Sequence, residues 1–241
     1  MWSPSASPEW RPAPARPAAT PGEVHVWRAL LDAVPARDHA LSPDERARAA
    51  RFRLERDRRR YVAGRGLLRS LLSRYTGADP AELRLSYGAH GKPRLDGPLR
   101  FNVAHADAVW LCAVTEEAEV GADVEPIAPF EEMDDVAAEM FSPAECGVYR
   151  ALPPDSRVDA FAACWTRKEA FVKAIGDGLS YPLSRFEVTL APHQPPALLS
   201  IDGSPAAAAR WRMAAASPAP GYAAAVVASA PVRQFRFFDL T

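Results

Sequence analysis

The sequence is short of the features that mark membrane, secreted and nucleic-acid-binding proteins. Its 241 residues include three cysteines, Cys112, Cys146 and Cys164, which are odd in number and follow no metal-ligand spacing. They predict reduced thiols and a cytoplasmic protein. No apolar run is long enough to span a bilayer, and the first residues show no signal peptide. No membrane partner is therefore predicted.

A charge excess of either sign is also missing. The chain has 29 Lys and Arg against 30 Asp and Glu, a net charge of −1, so no nucleic-acid partner is predicted. Hydrophobic residues make up 48%, enough for a sizeable core in one large domain or two small ones. Residues 1–22 are rich in proline, alanine and serine, which predicts a disordered or extended N-terminal tail.

The most informative stretch is residues 101–125, FNVAHADAVWLCAVTEEAEVGADVE. It predicts three strands, with a short break around His105 and a turn at 115–119. Asp123 and Glu125 are two apart on the third strand, so their side chains point to the same face. Two such carboxylates repel each other unless a cation lies between them, and a divalent metal is the usual remedy. The alternative is a polar strand face with ordinary surface acids.

Two long helices are predicted, at about residues 57–75 and 157–175, from apolar residues at helical spacing. Gly64 falls on the packed face of the first, which predicts a close approach by a neighbouring element. Glu169 falls on the apolar stripe of the second, where an ionised carboxylate is costly unless paired or metal-bound. The alternative is a salt bridge from Glu169 to Lys173. After the second helix, residues 181–190 predict a strand, and residues 210–216, 222–229 and 233–238 predict a closing antiparallel set.

The chain repeats itself weakly, which suggests two related halves. The helix-start signal Ser42-Pro43 recurs as Ser142-Pro143, one hundred positions later. We therefore predict an α+β fold, a pseudo-dimer of two similar α+β halves, each a small antiparallel sheet with packed helices. The first half is expected at 23–120 and the second at 121–241. Because the Asp-x-Glu pair and Glu169 have no counterparts in the first half, one site between the halves is predicted.

Two cationic segments could meet an anion. The first predicted helix is locally rich in arginine, which indicates either a solvated helix face or an anion site. The loop Gly91-Lys92-Pro93 joins two predicted strands. A lysine beside a glycine allows the backbone to approach a phosphate, although a turn with a surface lysine gives the same pattern.

Three ordered blocks, taken together, resemble one family. They are GKP at 91–93, FNVAH at 101–105 with GADVE at 121–125, and FS at 141–142 with WTRKEAFVK at 165–173. They resemble the 4′-phosphopantetheinyl transferases, in the large monomeric branch. The resemblance implies a pseudo-dimeric α+β monomer with its active site between the halves. It also implies transfer of phosphopantetheine from coenzyme A to a serine of an apo acyl or peptidyl carrier protein, with release of adenosine 3′,5′-bisphosphate.

The resemblance also assigns roles to individual residues. The ligands of Mg²⁺, with Mn²⁺ as the alternative ion, would be Asp123, Glu125 and Glu169. The groups that bind coenzyme A would be Arg48, Gly91, Lys92, Pro93, His105 and Lys173, and Arg65 is a further cationic candidate from its position alone. Lys173 would act at the pyrophosphate. Glu169 is the candidate base for the carrier serine, directly or through a water molecule. The catalytic set is therefore Asp123, Glu125, Glu169 and Lys173.

Two positions depart from the family pattern, and other functions remain open. Ala104 stands where Ser or Thr is usual, which removes one phosphate hydrogen bond, and Ala122 stands where Ile or Val is usual. The segment 129–140 is a candidate flank for the carrier protein, through Phe130, Met133 and Val136, or simply a cover over the core. The alternatives in function are a non-catalytic coenzyme A or carrier-binding protein and a metal-dependent phosphohydrolase.

Overall fold

The computed structural model describes residues 8–88, 90–176 and 178–241, the side chain of Leu179 excepted. The strands in this part are β1 (Arg11–Pro12), β2 (Glu23–Leu30), β3 (Leu85–Tyr87), β4 (Pro93–Leu95), β5 (Leu99–Ala106), β6 (Val109–Glu116), β7 (Val120–Pro126), β8 (Phe186–Val188), β9 (Leu198–Ile201), β10 (Trp211–Ala216), β11 (Tyr222–Ser229) and β12 (Gln234–Asp239). The α-helices are α1 (Pro43–Ala49), α2 (Glu55–Thr76), α3 (Met133–Met140), α4 (Pro143–Ala151), α5 (Pro154–Ile175) and α6 (Pro205–Ala208).

Two sheets share one core and carry a long helix each. The first sheet has the order β1-β12-β2-β6-β5 and the second the order β10-β11-β7. Apolar side chains from both, such as Val26, Leu111, Val124 and Val226, form the shared core. Helix α2 packs on the first sheet and α5 on the second. The predicted fold class, α+β with two halves of sheet plus helices, is confirmed.

Strand alternation decides which side chains reach the helices. In β7, Val120, Ala122 and Val124 enter the shared core. Because neighbouring side chains on a strand point to opposite faces, Asp123 and Glu125 point the other way. That face of β7 packs against α5. The sequence spacing therefore puts both carboxylates under the helix that carries Glu169.

Three details differ from the sequence-based predictions. Strand β5 runs unbroken through His105, and the break comes at Asp107, where φ is 50°. The last strand, β12, pairs in parallel with β2 instead of joining the closing antiparallel set, so the first sheet is mixed. Two of its three phenylalanines explain this position, because Phe237 enters the shared core while Phe238 stacks on Trp27 with ring centroids 4.6 Å apart. The strand predicted near 181–190 is confined to β8.

The predicted tail is extended and packed in its described part, while residues 1–7 lie outside the described residues. Strand β1 pairs in parallel with β12. Trp10 packs edge-on against Phe237, with ring centroids 5.2 Å apart, and its Nε1 donates a hydrogen bond to the Ser217 carbonyl oxygen. A single large aromatic side chain thus holds a segment whose composition is that of a flexible one.

A buried ion pair is repeated in the two halves. Glu45 and Glu145 each complete a capping box at the start of a helix. Glu45 pairs with Arg69 at 2.5 Å, and Glu145 pairs with Lys168 at 2.7 Å. The two basic side chains also donate to the carbonyl oxygens of Leu83 and Leu183, again one hundred positions apart. The sequence repeat therefore extends to a matching buried ion pair, which links the helix pair to the following loop in each half.

Two glycines mark the close approaches of helix to sheet. A Cβ on Gly64 would lie 3.4 Å from the Trp110 side chain of β6, an ordinary van der Waals distance, so β6 packs on this face of α2 without excluding a small side chain. A Cβ on Gly121 of β7 would lie 2.1 Å from the carbonyl oxygen of Ala170 and 2.3 Å from the nitrogen of Ala174. No side chain fits there, because both contacts are to the backbone of α5. Gly121 thus sets how closely Asp123 approaches α5.

The replacement Gly121→Ala is expected to push β7 and α5 apart. Overpacking of this kind lowers the free energy of unfolding by about 1–3 kcal/mol. A matched control is Gly147→Ala in α4, where the new Cβ meets open space. That variant should be neutral or stabilised by up to about 1 kcal/mol, since alanine favours a helix interior. Urea unfolding of the two variants checks the prediction, and equal stability would contradict it.

Candidate active site

Three carboxylates and one lysine meet between β7 and α5. Asp123 and Glu125 come from the strand, while Glu169 and Lys173 lie one turn apart on the helix. The Nζ of Lys173 lies 2.5 Å from Oδ1 of Asp123. Lys173 therefore pairs across to the strand rather than with Glu169 on its own helix. The side chain of Trp165, one turn before Glu169, lies near Glu125 and favours its charged form, which the sequence spacing did not indicate.

This cluster has more negative charge than its own lysine balances. Burial raises the pKa of Asp123 and of Glu169, and for Glu169 the charge of Asp123 raises it further. Burial, then Asp123 and Glu169, raise the pKa of Glu125 to about 7. Oδ2 of Asp123 and Oε1 of Glu169 are buried and have no hydrogen-bond partner in the described part of the chain. The cluster thus has unfilled acceptor oxygens and surplus negative charge.

These residues fit a divalent cation by their chemistry. Mg²⁺ and Mn²⁺ take carboxylate oxygens as ligands, and such an ion would satisfy the two orphaned oxygens and the surplus charge together. In the described residues, no three acidic, histidine or cysteine side chains are already arranged as a metal-binding group. Lys173 holds Oδ1 of Asp123, so Oδ2 is the oxygen of this carboxylate that is left open to an ion.

A cavity of about 610 Å³ is lined by the arginine-rich helices, the loop before β4 and the end of β5. Five of the residues predicted to bind coenzyme A are in its wall: Arg48, Arg65, Gly91, Pro93 and His105. Burial lowers the pKa of His105, and the charge of Lys173 lowers it further. His105 of the cavity wall therefore lies within electrostatic range of Lys173 in the carboxylate cluster. The wall also includes Arg56 and Arg60 of the arginine-rich helix, together with Phe52 and Tyr87, which no sequence pattern indicated.

The cations of this cavity differ in how firmly they are held. The Nε of Arg65 donates to Glu45 at 2.9 Å, and its Nη2 donates to the hydroxyl of Tyr87. Arg60 pairs with Asp32 at 2.6 Å. Arg48 forms no ion pair with any residue that the structure describes, and its guanidinium lies over the ring of Tyr61, 5.6 Å from the centroid. Arg48 is therefore the cavity cation most available to a bound anion.

Comparison with known proteins agrees with this arrangement. Residues 25–117 match a family model described as 4′-phosphopantetheinyl transferase, N-terminal, and residues 119–227 match the 4′-phosphopantetheinyl transferase superfamily. The chain is 38% identical to the 4′-phosphopantetheinyl transferase HetI of a Nostoc species over 77% of this chain and 82% of that protein. The chain belongs to the 4′-phosphopantetheinyl transferase family.

Two further relatives extend the match. The chain is 34% identical to the 4′-phosphopantetheinyl transferase Sfp of Bacillus subtilis, over 62% of this chain and 66% of that protein. It is also 34% identical to a phosphopantetheinyl transferase of a Thraustochytrium species, over 76% of this chain and 72% of that protein. In the part of this family member that the structure describes, no helix is long and apolar enough to cross a membrane.

Lys92 lies outside the cavity wall of this family member. Its Nζ donates to the carbonyl oxygen of Ala174 at 2.9 Å and lies 3.1 Å from Glu119. These contacts tie the loop before β4 to the end of α5. Contact between Lys92 and a coenzyme A phosphate stays a prediction, and it would require the ammonium group to leave these partners.

The candidate carrier flank is divided between surface and core. Phe130 is 44% exposed, and its ring contacts Phe161 edge-on with centroids 5.3 Å apart. Met133 and Val136 are half-buried and pack on the core of the second half. Of these three apolar side chains, Phe130 is therefore the one that a partner could reach most easily, while the other two cover the core.

Proposed function

We propose that this chain transfers phosphopantetheine from coenzyme A to a serine of an apo acyl or peptidyl carrier protein and releases adenosine 3′,5′-bisphosphate. The observation that carries the proposal is a buried carboxylate cluster beside a cavity lined with arginines. The proposed halves, 23–120 and 121–241, each supply part of the site, although β12 lies in the first sheet. Because one chain supplies both parts, we propose a monomer, and its free thiols suit a cytoplasmic location.

The proposed place for coenzyme A is the large cavity. Its volume lies within the range typical of small-molecule sites. Coenzyme A carries a 3′-phosphate and a pyrophosphate, and Arg48, Arg65 and His105 would face this concentrated negative charge. The loop at Gly91 and Pro93 would lie against the adenine. Because the charge of Lys173 acts on His105, a pyrophosphate bound at His105 would lie near the carboxylate cluster.

The proposed metal ligands are Asp123, Glu125 and Glu169, which would hold Mg²⁺ or Mn²⁺. When bound, the ion supplies charge neutralisation for the pyrophosphate and makes its phosphorus more open to attack. The protein side chains perform the rest. The serine oxygen forms a bond to the phosphorus next to pantetheine, and the bond from that phosphorus to the bisphosphate oxygen breaks. Glu169 takes the serine proton, directly or through a water molecule, and Lys173 stabilises the developing negative charge.

The mass of an intact carrier protein tests this proposal. Purified protein, coenzyme A and Mg²⁺ are mixed with several apo carrier proteins, with and without EDTA. We expect a mass gain of one phosphopantetheine that EDTA prevents. Coenzyme A consumed without carrier modification would instead indicate a metal-dependent phosphohydrolase. Coenzyme A bound without any turnover would indicate a non-catalytic binding protein.

Arg48→Gln is expected to raise the KM for coenzyme A about tenfold, with a smaller effect on kcat. A hydrogen bond from a charged group to phosphate contributes about 1.5–3 kcal/mol to binding, and solvent reduces this contribution at Arg48. Arg46→Gln is the matched control, because Arg46 is on the same helix and does not line the cavity. Steady-state kinetics with an apo carrier checks both variants. Equal KM values for Arg48→Gln and Arg46→Gln would exclude Arg48 from coenzyme A binding.

A further inference from the structure

A second cavity, of about 210 Å³, lies on the other side of α5. Arg167 lines it, and Arg167 precedes Glu169 by two residues, which is roughly 200° around an α-helix. The two side chains therefore point to opposite sides. The other walls include His193, Met213 of β10 and Phe237 of β12. The proposed transfer reaction does not use this cavity.

Arg167 is a buried cation with an unfilled hydrogen-bonding edge. Arg167 as a whole is 4% exposed to solvent. Its Nη1 donates to the carbonyl oxygen and the hydroxyl of Thr189. Its Nε is buried without a partner, and the hydrogen bonds from this guanidinium to the described residues are both made by Nη1. Nε and Nη2 form one edge of the guanidinium, and such an edge receives both oxygens of a carboxylate.

The charge of Arg167 is also unbalanced. No acidic side chain in residues 8–88, 90–176 or 178–241 forms an ion pair with it, whereas Lys168, next in the chain, pairs with Glu145. Burial lowers the pKa of Arg167 to about 10, which still leaves it protonated at neutral pH. A buried charge without a partner is unfavourable. An anion from solution would both balance the charge and fill the open edge.

We propose that this cavity binds a small carboxylate with a short apolar tail, with its two oxygens on Nε and Nη2 of Arg167. Met213 and Phe237 provide the apolar part of the wall. The volume admits a molecule of a few heavy atoms rather than a nucleotide. The inference is independent of the proposed transfer function, because the two sites share no side chain.

Nuclear magnetic resonance of the full chain, labelled with ¹⁵N-arginine, tests the proposal. The Nε–H signal of Arg167 is followed during titration with acetate, propionate and butyrate at constant ionic strength. We expect a saturable change, and roughly fourfold tighter binding for each added CH₂ that the wall accommodates. Inorganic phosphate, which has no apolar tail, should bind more weakly than propionate.

A charge-conserving variant tests the role of the guanidinium edge. Arg167→Lys keeps the charge but loses the paired donors, so propionate should bind about tenfold more weakly. Arg157→Lys is the control on the same helix, because Arg157 does not line the cavity. It should leave propionate affinity unchanged. Thermal stabilisation by propionate gives the affinities of both variants.

Several results would overturn the proposal. They are a signal change that is linear in concentration, a change equal to that produced by chloride, unchanged propionate affinity in Arg167→Lys, and phosphate affinity as high as that of propionate. The first two and the last come from the unmodified protein, so they decide the question even if Arg167→Lys does not fold.

Discussion

Glu169→Gln is expected to lower kcat about a thousandfold, because a positioned proton acceptor contributes roughly 10²–10⁴ in rate. The same change should raise the melting temperature of the metal-free protein. Burial and the charge of Asp123 disfavour the Glu169 carboxylate, and a neutral amide of the same shape removes that repulsion. A gain in stability together with a loss of activity is the signature of a functional charge cluster. Intact-mass kinetics and thermal unfolding measure the two effects.

A surface acid provides the control for Glu169. Glu82→Gln changes an exposed carboxylate between α2 and β3, and it should alter neither kcat nor the melting temperature. Stabilisation by Mg²⁺ should be present in the unmodified protein and in Glu82→Gln and much reduced in Glu169→Gln. Full activity in Glu169→Gln would remove this residue from the mechanism, and unchanged Mg²⁺ stabilisation would remove it from the metal site.

Lys168→Met is expected to destabilise the protein by about 3–5 kcal/mol, because it leaves Glu145 as an unpaired buried charge. Lys168 is fully buried and lies 2.7 Å from Glu145. Its Nζ also donates to the carbonyl oxygens of Leu183 and Phe186. The free energy of unfolding in urea measures the loss, and the double variant Lys168→Met/Glu145→Gln should recover part of it.

An exposed ion pair gives the comparison for Lys168. Arg185 lies 2.6 Å from Asp202, with both side chains about half exposed to solvent. Arg185→Met should therefore lower the free energy of unfolding by less than about 1 kcal/mol. If Lys168→Met and Arg185→Met lost equal stability, the buried ion pair of Lys168 and Glu145 would stabilise the second half no more than an exposed pair does.

The carboxylate cluster could be predicted from sequence because its geometry depends on local periodicity. The two-residue spacing of Asp123 and Glu125 requires one face of a strand, and the helical stripe places Glu169 toward the core. Gly64 was informative for the same reason, because its position on the apolar stripe of the first long helix shows which face of that helix lacks a side chain. Each of these inferences uses the spacing within one element, which the sequence contains directly.

Other features depend on contacts between distant segments, which the spacing within one element does not determine. The alternation in β12 predicts a strand but does not say that it pairs in parallel with β2, over 200 residues earlier in the chain. Lys92 was predicted from its neighbours, yet its ammonium lies with Glu119 and the end of α5. The arginines of the cavity wall were visible as a basic run, but the sequence did not show which of them acids would neutralise.

The most direct test of a single site shared by two halves is a calorimetric titration with coenzyme A in the presence of Mg²⁺. It compares the unmodified protein with Arg48→Gln from the first half and Lys173→Met from the second. The predicted result is one coenzyme A per chain, with affinity lowered by either substitution. Two coenzyme A molecules per chain, or an affinity that substitutions in only one half can change, would contradict the shared site.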